Sequence, residues 1–250
     1  MNRYFPTLFL FLAFTLKAFP QERLTPGKLW QLGRVNLYDV SPDGKTVLYG
    51  VTYFDIKENK GNRDLYAMKV DGSDNGVAKQ LTNFPCNESE ARFRPDGQKI
   101  GFLYKGNLWE MNADGSGAIQ VSGISMNGFR YFPDSKKLLY IQDVKYDRTT
   151  QEIYPDLQKA EVRIIDELMY RHWDDWEDGL YSNIFIIGYE DGKVKGESRN
   201  IMGEPFDSPL KPHAGMEQIT IGPNGQFIAY TCKKEKGAAA SVSTNSDIFV

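Results

Sequence analysis

The sequence predicts an all-β protein, a β-propeller built from four-stranded antiparallel blades, of which about four are visible. Two observations carry this prediction. A Pro-Asp-Gly type of turn that feeds a short apolar strand recurs at Pro42, Pro95, Pro133 and Pro223, and a polar–aliphatic–aromatic triplet follows each turn. The first two intervals between these prolines, 53 and 38 residues, bracket the repeat length typical of propeller blades. A β-sandwich also has short strands, but it would not repeat the same two motifs in the same order.

The repeated turns define the blade. They occupy residues 41–45, 94–99, 132–137 and 222–226, and each leads into an apolar strand that ends in tyrosine. Proline presets one turn dihedral, and glycine or asparagine tolerates the positive φ that a tight hairpin requires. The triplets are residues 64–66, 107–109, 183–185 and 247–249, and the first three run on to a second turn. One unit therefore reads strand, turn, strand, loop, strand, turn, strand, which is a WD-repeat-like blade.

Composition excludes several classes of protein. The chain has 250 residues, of which 41% are hydrophobic and 25% charged, and its net charge is −3. Because no run of lysine and arginine occurs, we expect no nucleic-acid partner. Cys86 and Cys232 are too few for a disulfide framework and have no histidine at metal-ligand spacing. We expect two buried free thiols, no metal and no cofactor.

The first twenty residues differ from the rest of the chain. Arg3 precedes an apolar run at residues 8–14, and Pro20 follows it. This run is too short to span a bilayer as a helix and is typical of a secretory signal peptide. The alternative is an apolar N-terminal strand of the fold. The pattern predicts a signal peptide at 1–20, an exported protein that is periplasmic or secreted, and no membrane span after its removal.

The blades occupy residues 24–250, and the fourth blade stops as its third strand begins. Propellers close so that few strand edges stay exposed. We therefore expect an incomplete ring and a chain that is the front part of a longer polypeptide. The alternatives are a four-bladed ring closed by residues 28–38 and a complete short protein. The oligomeric state is left open.

An insertion at 141–182 interrupts the blade pattern. Residues 142–148 are polar and loop-like. Residues 161–170 place Val162, Ile164, Ile165 and Leu168 at a partly helical spacing, which predicts a short helix or an extended excursion.

The insertion ends in a stretch dense in aromatic and charged side chains. The candidate substrate-binding residues are Arg171, His172, Trp173, Asp174, Asp175, Trp176 and Glu177. Carboxylates between indole rings would hold a substrate ammonium by charge pairing and cation–π attraction. The alternative, which composition alone favours, is that the tryptophans fill a gap between blades while the charges face solvent.

No catalytic residue is assigned. A nucleophile of the α/β-hydrolase type needs Gly-x-Ser-x-Gly, which does not occur in this sequence. Residues 123–127 lack the second glycine, and the two histidines, His172 and His213, follow no plausible nucleophile.

The tandem turns, the secretory start and above all residues 170–176 resemble the N-terminal propeller portion of prolyl oligopeptidase family serine peptidases. The subgroup is the acylaminoacyl-peptidase and dipeptidyl-peptidase V-like enzymes. The resemblance implies a propeller that gates access to a C-terminal α/β-hydrolase domain, which this chain does not contain. The full protein would then cleave short peptides, with Arg171, Asp174, Asp175 and Glu177 orienting peptide termini between Trp173 and Trp176. The competing hypothesis is a non-enzymatic, TolB-like propeller that binds envelope proteins.

Overall fold

Four small antiparallel sheets, arranged as propeller blades, make up most of the computed structural model, which describes residues 23–190 and 192–250. The predicted signal peptide at 1–20 lies outside these residues. Blade 1 consists of β1 (Arg34–Val40), β2 (Thr46–Asp55), β3 (Lys60–Lys69) and β4 (Lys79–Gln80). Blade 2 consists of β5 (Glu88–Phe93), β6 (Lys99–Tyr104), β7 (Asn107–Asn112) and β8 (Ile119–Gln120). In both blades the strands pair in chain order. The predicted fold class is confirmed.

Blade 3 carries the insertion between its second and third strands. It consists of β9 (Gly128–Tyr131), β10 (Lys137–Lys145), β13 (Leu180–Glu190) and β14 (Lys193–Asn200). Blade 4 has β15 (Ile219–Ile221), β16 (Ile228–Cys232) and β17 (Asp247–Phe249). The two short strands β11 (Arg171–His172) and β12 (Asp175–Trp176) form a separate hairpin within the insertion.

Helices are few and short in the part of the chain that the structure describes. They are α1 (Pro26–Gln31), α2 (Thr150–Ile153), α3 (Gly237–Val242) and two 3₁₀ turns at Pro155–Leu157 and Met216–Gln218. Within residues 23–190 and 192–250, none has both the length and the apolar character needed to cross a bilayer.

The repeated turns have one shared geometry. In each, the fourth turn residue has a positive φ and its N–H bonds to the carbonyl three residues earlier; these residues are Gly44, Gly97, Ser135 and Gly225. In each, an Asp or Asn side chain accepts the N–H two residues on; these acceptors are Asp43, Asp96, Asp134 and Asn224. The sequence repeat is thus a repeat of local hydrogen bonding, because the Asx side chain satisfies a backbone donor inside the turn.

Each blade is covered by its neighbour along the chain. One buried cluster joins blades 1 and 2, with Leu48 and Phe102 fully buried in it. A second joins blades 2 and 3 through Leu108 and Phe129, and a third joins blades 3 and 4 around Ile184. A small sheet with two apolar faces cannot stand alone, so this stacking supplies the core.

Both cysteines are free. Cys232 is buried, as expected, and burial raises the pKa of its thiol to about 11. Cys86 is exposed, so the expectation of two buried thiols is wrong for this residue. It lies in the loop between β4 and β5, where no sheet face covers it.

Ser135 occupies a turn position where the other three repeats have glycine, and its φ is 54°. A Cβ at that φ costs about 1–2 kcal/mol. Ser135→Gly should therefore raise the free energy of unfolding by about 0.5–1 kcal/mol after the entropy cost of glycine in the unfolded chain. Urea unfolding measures this. Ser73→Gly, at an exposed turn residue without a positive φ, should lower the free energy of unfolding. Equal effects of the two substitutions would contradict backbone strain at Ser135.

The buried Glu88, at the start of blade 2, should make the stability of the protein depend on pH. Its side chain is fully buried, accepts a 2.8 Å bond from Thr82 Oγ1, and has no partner at Oε1 among the described residues. Burial raises the pKa of Glu88 to about 7, and the charge of Asp64 adds to this while the Thr82 bond opposes it. Folding therefore disfavours the ionised form.

The unfolded chain ionises Glu88 near its ordinary pKa of 4.5, whereas the folded chain resists until about pH 7. As the pH rises from about 4.5 to about 7, the free energy of unfolding should decrease by up to about 3 kcal/mol. Above pH 7, Glu88 should cause no further change. Glu88→Gln should remove this slope, as measured by urea unfolding at pH 5 and pH 8. The exposed Glu197→Gln is the control; an unchanged slope in Glu88→Gln would refute the assignment.

Candidate functional site

The insertion stands on a rigid base in blade 3. β10 and β13 pair without interruption from Lys137 and Gly188 to Lys145 and Leu180. The predicted insertion at 141–182 is therefore too wide: residues 141–145 and 180–182 belong to strands, and the excursion is 146–179. Of residues 142–148, predicted to be loop, 142–145 are a strand that extends past the apolar core, where Asp143 accepts a bond from Ser182 Oγ at 2.7 Å, and 146–148 belong to no strand.

The neck of the excursion is closed by a few specific contacts. The N–H of Tyr146 donates to the carbonyl of Gly179 at 3.0 Å, and Tyr181 Oη donates to Asp147 Oδ2 at 3.0 Å. Gly179 has a φ of 78°, and a Cβ there would lie 2.9 Å from the Cβ and 3.1 Å from the carbonyl oxygen of Asp147. Only glycine fits this crossing of the two chain segments.

The first half of the excursion is a capped turn of helix. α2 begins after Thr149, whose side chain accepts the N–H of Glu152 while Glu152 accepts that of Thr149, which is a capping box. Lys145 Nζ lies 2.5 Å from Glu152 Oε1. The bond to Lys145 is the main cause that lowers the pKa of Glu152 to about 2. The residues that follow, 161–166, form neither helix nor strand, so of the two predicted alternatives for this segment the extended excursion is correct.

The second half ends in the hairpin of β11 and β12, where Arg171 pairs with Trp176 and His172 with Asp175. Trp173, at the turn, has a φ of 55° and is 71% exposed. Its ring lies 4.4 Å from that of His213. The conformation is a strained one for a bulky residue.

Two arginines lie over the indole of Trp176. The guanidinium carbon of Arg163 is 4.3 Å from the ring centroid and that of Arg171 is 5.1 Å away. Such cation–π contacts contribute about 0.5–1 kcal/mol at exposed sites. Arg171 is therefore engaged in holding the hairpin together.

Two adjoining clefts lie between the excursion and the blades. The larger has a volume of about 1040 Å³ and extends from the excursion to the loop at 205–211 and to residues 233–240. The smaller, about 250 Å³, is strongly acidic: the carboxylates of Asp143, Asp175, Glu177 and Asp178 line it against one lysine, Lys211.

Lys211 is already bound by the protein. Its Nζ donates to the carbonyl of Leu180 at 2.7 Å and lies 3.3 Å from Asp143 Oδ1 and 3.7 Å from Asp207 Oδ1. Burial would raise the pKa of Asp143, but the bond from Ser182 and the charge of Lys211 outweigh it, and the net pKa is lowered. Asp143 is thus the natural counter-ion of Lys211.

Glu177 and Asp207 are the two carboxylates beside Lys211 whose pKa is raised, although the charge of Lys211 partly offsets the rise in both. The walls of the cleft partly bury the Glu177 carboxyl and raise its pKa, and the charge of Asp207 raises it further. Burial likewise raises the pKa of Asp207, although its Oδ1 accepts the N–H of Ser182 at 2.7 Å. A cation entering between them would relieve this repulsion.

The structure divides the seven candidate residues into two groups. His172, Asp175, Trp176 and Glu177 line the clefts, whereas Arg171, Trp173 and Asp174 do not. Asp207 and Lys211 were missed by sequence reasoning, because they lie some thirty residues further on in an irregular loop that carries no motif. Within residues 23–190 and 192–250, no group of three or more His, Cys, Asp or Glu side chains is placed to hold a metal ion.

Sequence comparison finds relatives over nearly the whole chain, although no family model matches it. Dipeptidyl-peptidase 5 of Porphyromonas gingivalis is 41% identical over 235 residues, which is 92% of this chain and 34% of that protein. Dipeptidyl-peptidase 5 of Porphyromonas endodontalis is 33% identical over 90% of this chain and 33% of that protein. The chain is a relative of dipeptidyl-peptidase 5. It spans about a third of the length of these relatives. The resemblance to the propeller portion of dipeptidyl-peptidase V-like enzymes, predicted from the sequence, is confirmed.

Solved structures support the fold of this dipeptidyl-peptidase 5 relative. Acylaminoacyl peptidase of Pyrococcus horikoshii matches with a TM-score of 0.52 at 17% identity, over 69% of this chain and 26% of that one. An acylaminoacyl peptidase in complex with Z-Gly-Gly-Phe-chloromethyl ketone matches with a TM-score of 0.54 at 14% identity, over 82% and 28% of the two chains. At these identities the likeness establishes the propeller fold alone.

Gly179→Ala should open the neck of the excursion. The substitution combines a positive φ with a clash against the backbone of Asp147, which together should cost about 2–4 kcal/mol. Gly196→Ala is the matched control, because Gly196 has a φ of 76° and nothing within 4 Å of its Cβ position. It should cost only about 1 kcal/mol. Urea unfolding and the rate of tryptic cleavage within 146–179 measure the difference; equal behaviour of the two variants would contradict the neck assignment.

Proposed function

We propose that this chain is the substrate-facing propeller portion of an exported dipeptidyl peptidase, and that the acidic cleft holds the free amino end of a short peptide. The observation that carries the proposal is the excess of four carboxylates over one lysine in the smaller cleft. The name shared by the relatives, dipeptidyl-peptidase 5, supports the substrate class. Export is proposed from residues 1–20 of the sequence alone.

The peptide ammonium would lie in the smaller cleft beside Glu177, whose pKa is raised and which lines both clefts, while the charge of Asp207 in the larger cleft adds to the attraction. Lys211 would keep its present contacts with Asp143 and the Leu180 carbonyl. Trp176 provides an apolar wall shared by both clefts. In this arrangement the chain binds and orients substrate, while bond cleavage belongs to a hydrolase domain elsewhere in the full protein.

The position of the excursion supports the proposed gating role. It forms one side of both clefts and is attached to the blades chiefly at its neck. A peptide held there would have to present a free end, since the smaller cleft has a volume of only about 250 Å³. The propeller would therefore select peptides by their size and by a free amino group, before they reach the catalytic site of the hydrolase domain.

Glu177→Gln should weaken binding of a free-amine dipeptide amide about tenfold, because a charge-assisted bond becomes a neutral one. Binding of the N-acetylated dipeptide amide should not change. Isothermal titration calorimetry on the chain measures both, with Glu197→Gln as the control on an exposed strand. Equal effects on the two ligands would remove the amine-binding role.

The pH profile provides a second readout of the same binding. Because the pKa of Glu177 is raised, its charge, and hence affinity for the ammonium, should increase as pH rises through the range just above the ordinary glutamate value. Affinity should fall again above about pH 8, where a peptide amine loses its proton. The Glu177→Gln variant should lose most of the acidic limb of this profile, and an unaltered limb would contradict the assignment.

The intact mass of the native protein, taken from its own cells, tests the larger part of the proposal. A mass far above that of these 250 residues, as a hydrolase domain requires, would support a gating propeller. A mass that matches this chain without a signal peptide would refute the peptidase.

A further inference from the structure

The wall of the larger cleft contains a stretch of backbone that makes no hydrogen bonds. Residues 163–169 belong to no helix or strand. Among the hydrogen bonds of residues 23–190 and 192–250, none is donated or accepted by the backbone of this stretch. Its N–H and C=O groups therefore have no partner among the described residues, which is the property of an edge strand, although the stretch bends at residues 167 and 168.

The side chains of this stretch are apolar and half-exposed. Ile164, Ile165 and Leu168 are 46–50% exposed, and the preceding Val162 is 54% exposed. All four line the larger cleft. Free backbone groups beside exposed aliphatic side chains are the two features by which a protein edge recognises an extended peptide.

The segment is held in place from both sides. Before it, Gln151 Nε2 donates to the carbonyl of Ala160 at 2.8 Å and Thr150 Oγ1 donates to that of Val162 at 2.9 Å. Within it, Arg163 lies over Trp176, and directly after it the carbonyl of Tyr170 accepts the N–H of Glu177 at 2.9 Å. These contacts fix the ends and leave the backbone groups between them unpaired, so a ligand would meet a preorganised edge.

We propose that residues 163–169 bind the main chain of a short extended peptide by strand addition, with Ile164, Ile165 and Leu168 contacting apolar side chains of that peptide. The volume of about 1040 Å³ suits a ligand of a few residues. The peptide amino end points toward Glu177, whose N–H bonds to the carbonyl of Tyr170 at 2.9 Å, directly after the segment. Only this direction rests on the proposed function.

Amide hydrogen exchange tests the proposal on the whole chain. An alanine–leucine pentapeptide amide with a free amino end should slow exchange of the 163–169 amides at least tenfold when bound at saturation. An analogue N-methylated at alternate residues should bind about fivefold more weakly for each hydrogen bond removed. Binding of both peptides with equal affinity, or binding without protection of 163–169, would overturn strand addition.

A matched pair of variants locates the contact. Ile164→Pro removes one backbone donor in an unpaired segment and should weaken the unmethylated peptide about fivefold. Ile164→Val keeps the donor and most of the apolar surface and should bind with affinity within about twofold of the unsubstituted chain. Equal affinities in the two variants would contradict a backbone bond at this position.

The same titrations separate this inference from the proposed function. If an N-acetylated pentapeptide protects 163–169 as well as the free-amine peptide does, strand addition stands and the amine site fails. If the free-amine peptide binds in a Glu177-dependent manner but leaves 163–169 unprotected, the amine site stands and strand addition fails.

Discussion

The contact between consecutive blades is the constraint on which the rest of the molecule depends, and the seam between blades 2 and 3 shows it most clearly. Glu110 is 2% exposed and accepts hydrogen bonds from Tyr131 Oη at 2.5 Å and Tyr189 Oη at 2.6 Å. Arg94 lies 4.0 Å from its other oxygen. Gly101, which pairs with Glu110 on the neighbouring strand, leaves room for the Tyr131 hydroxyl, because a Cβ at this position would lie 2.3 Å from that hydroxyl. A buried carboxylate is tolerated here because two hydroxyl donors of blade 3 and the guanidinium charge of Arg94 in blade 2 surround it.

That seam explains why blade 3 can carry a long insertion without losing its shape. Tyr131 and Tyr189 belong to β9 and β13, the strands on either side of β10. Their bonds to Glu110 attach the sheet of blade 3 to blade 2, away from the ends of β10 and β13 where the insertion begins and ends. The neck at Tyr146 and Gly179 then limits the freedom of the excursion. Residues 146–179 can therefore adopt an irregular path with unpaired backbone, because the buried clusters that join the blades lie outside them.

The sequence was most informative where structure is local. The turns at Gly44, Gly97 and Gly225 were predictable because the turn residue, the Asx acceptor and the following strand lie within a few positions. The strand end at 142–145 was missed, because its polar side chains bond to Ser182 and Asn127 instead of alternating with an apolar face. The helical spacing at 161–170 was misleading because those apolar residues line a cleft and are not buried against a sheet.

The candidate site could be predicted only in part for the same reason. Residues 171–177 were conspicuous because they are contiguous, yet the charge balance of the cleft depends on Asp143, Asp207 and Lys211, which approach it from other segments. Lys211 is paired with Asp143 and bonded to the Leu180 carbonyl, and its charge offsets only part of the rise in the pKa of Glu177. The fold thus keeps Glu177 and Asp207 close together at an electrostatic cost, and a bound ammonium is the simplest group that would offset it. Because the unpaired backbone of 163–169 ends next to Tyr170, whose carbonyl accepts the N–H of Glu177, the two features would engage the main chain and the amino end of one peptide.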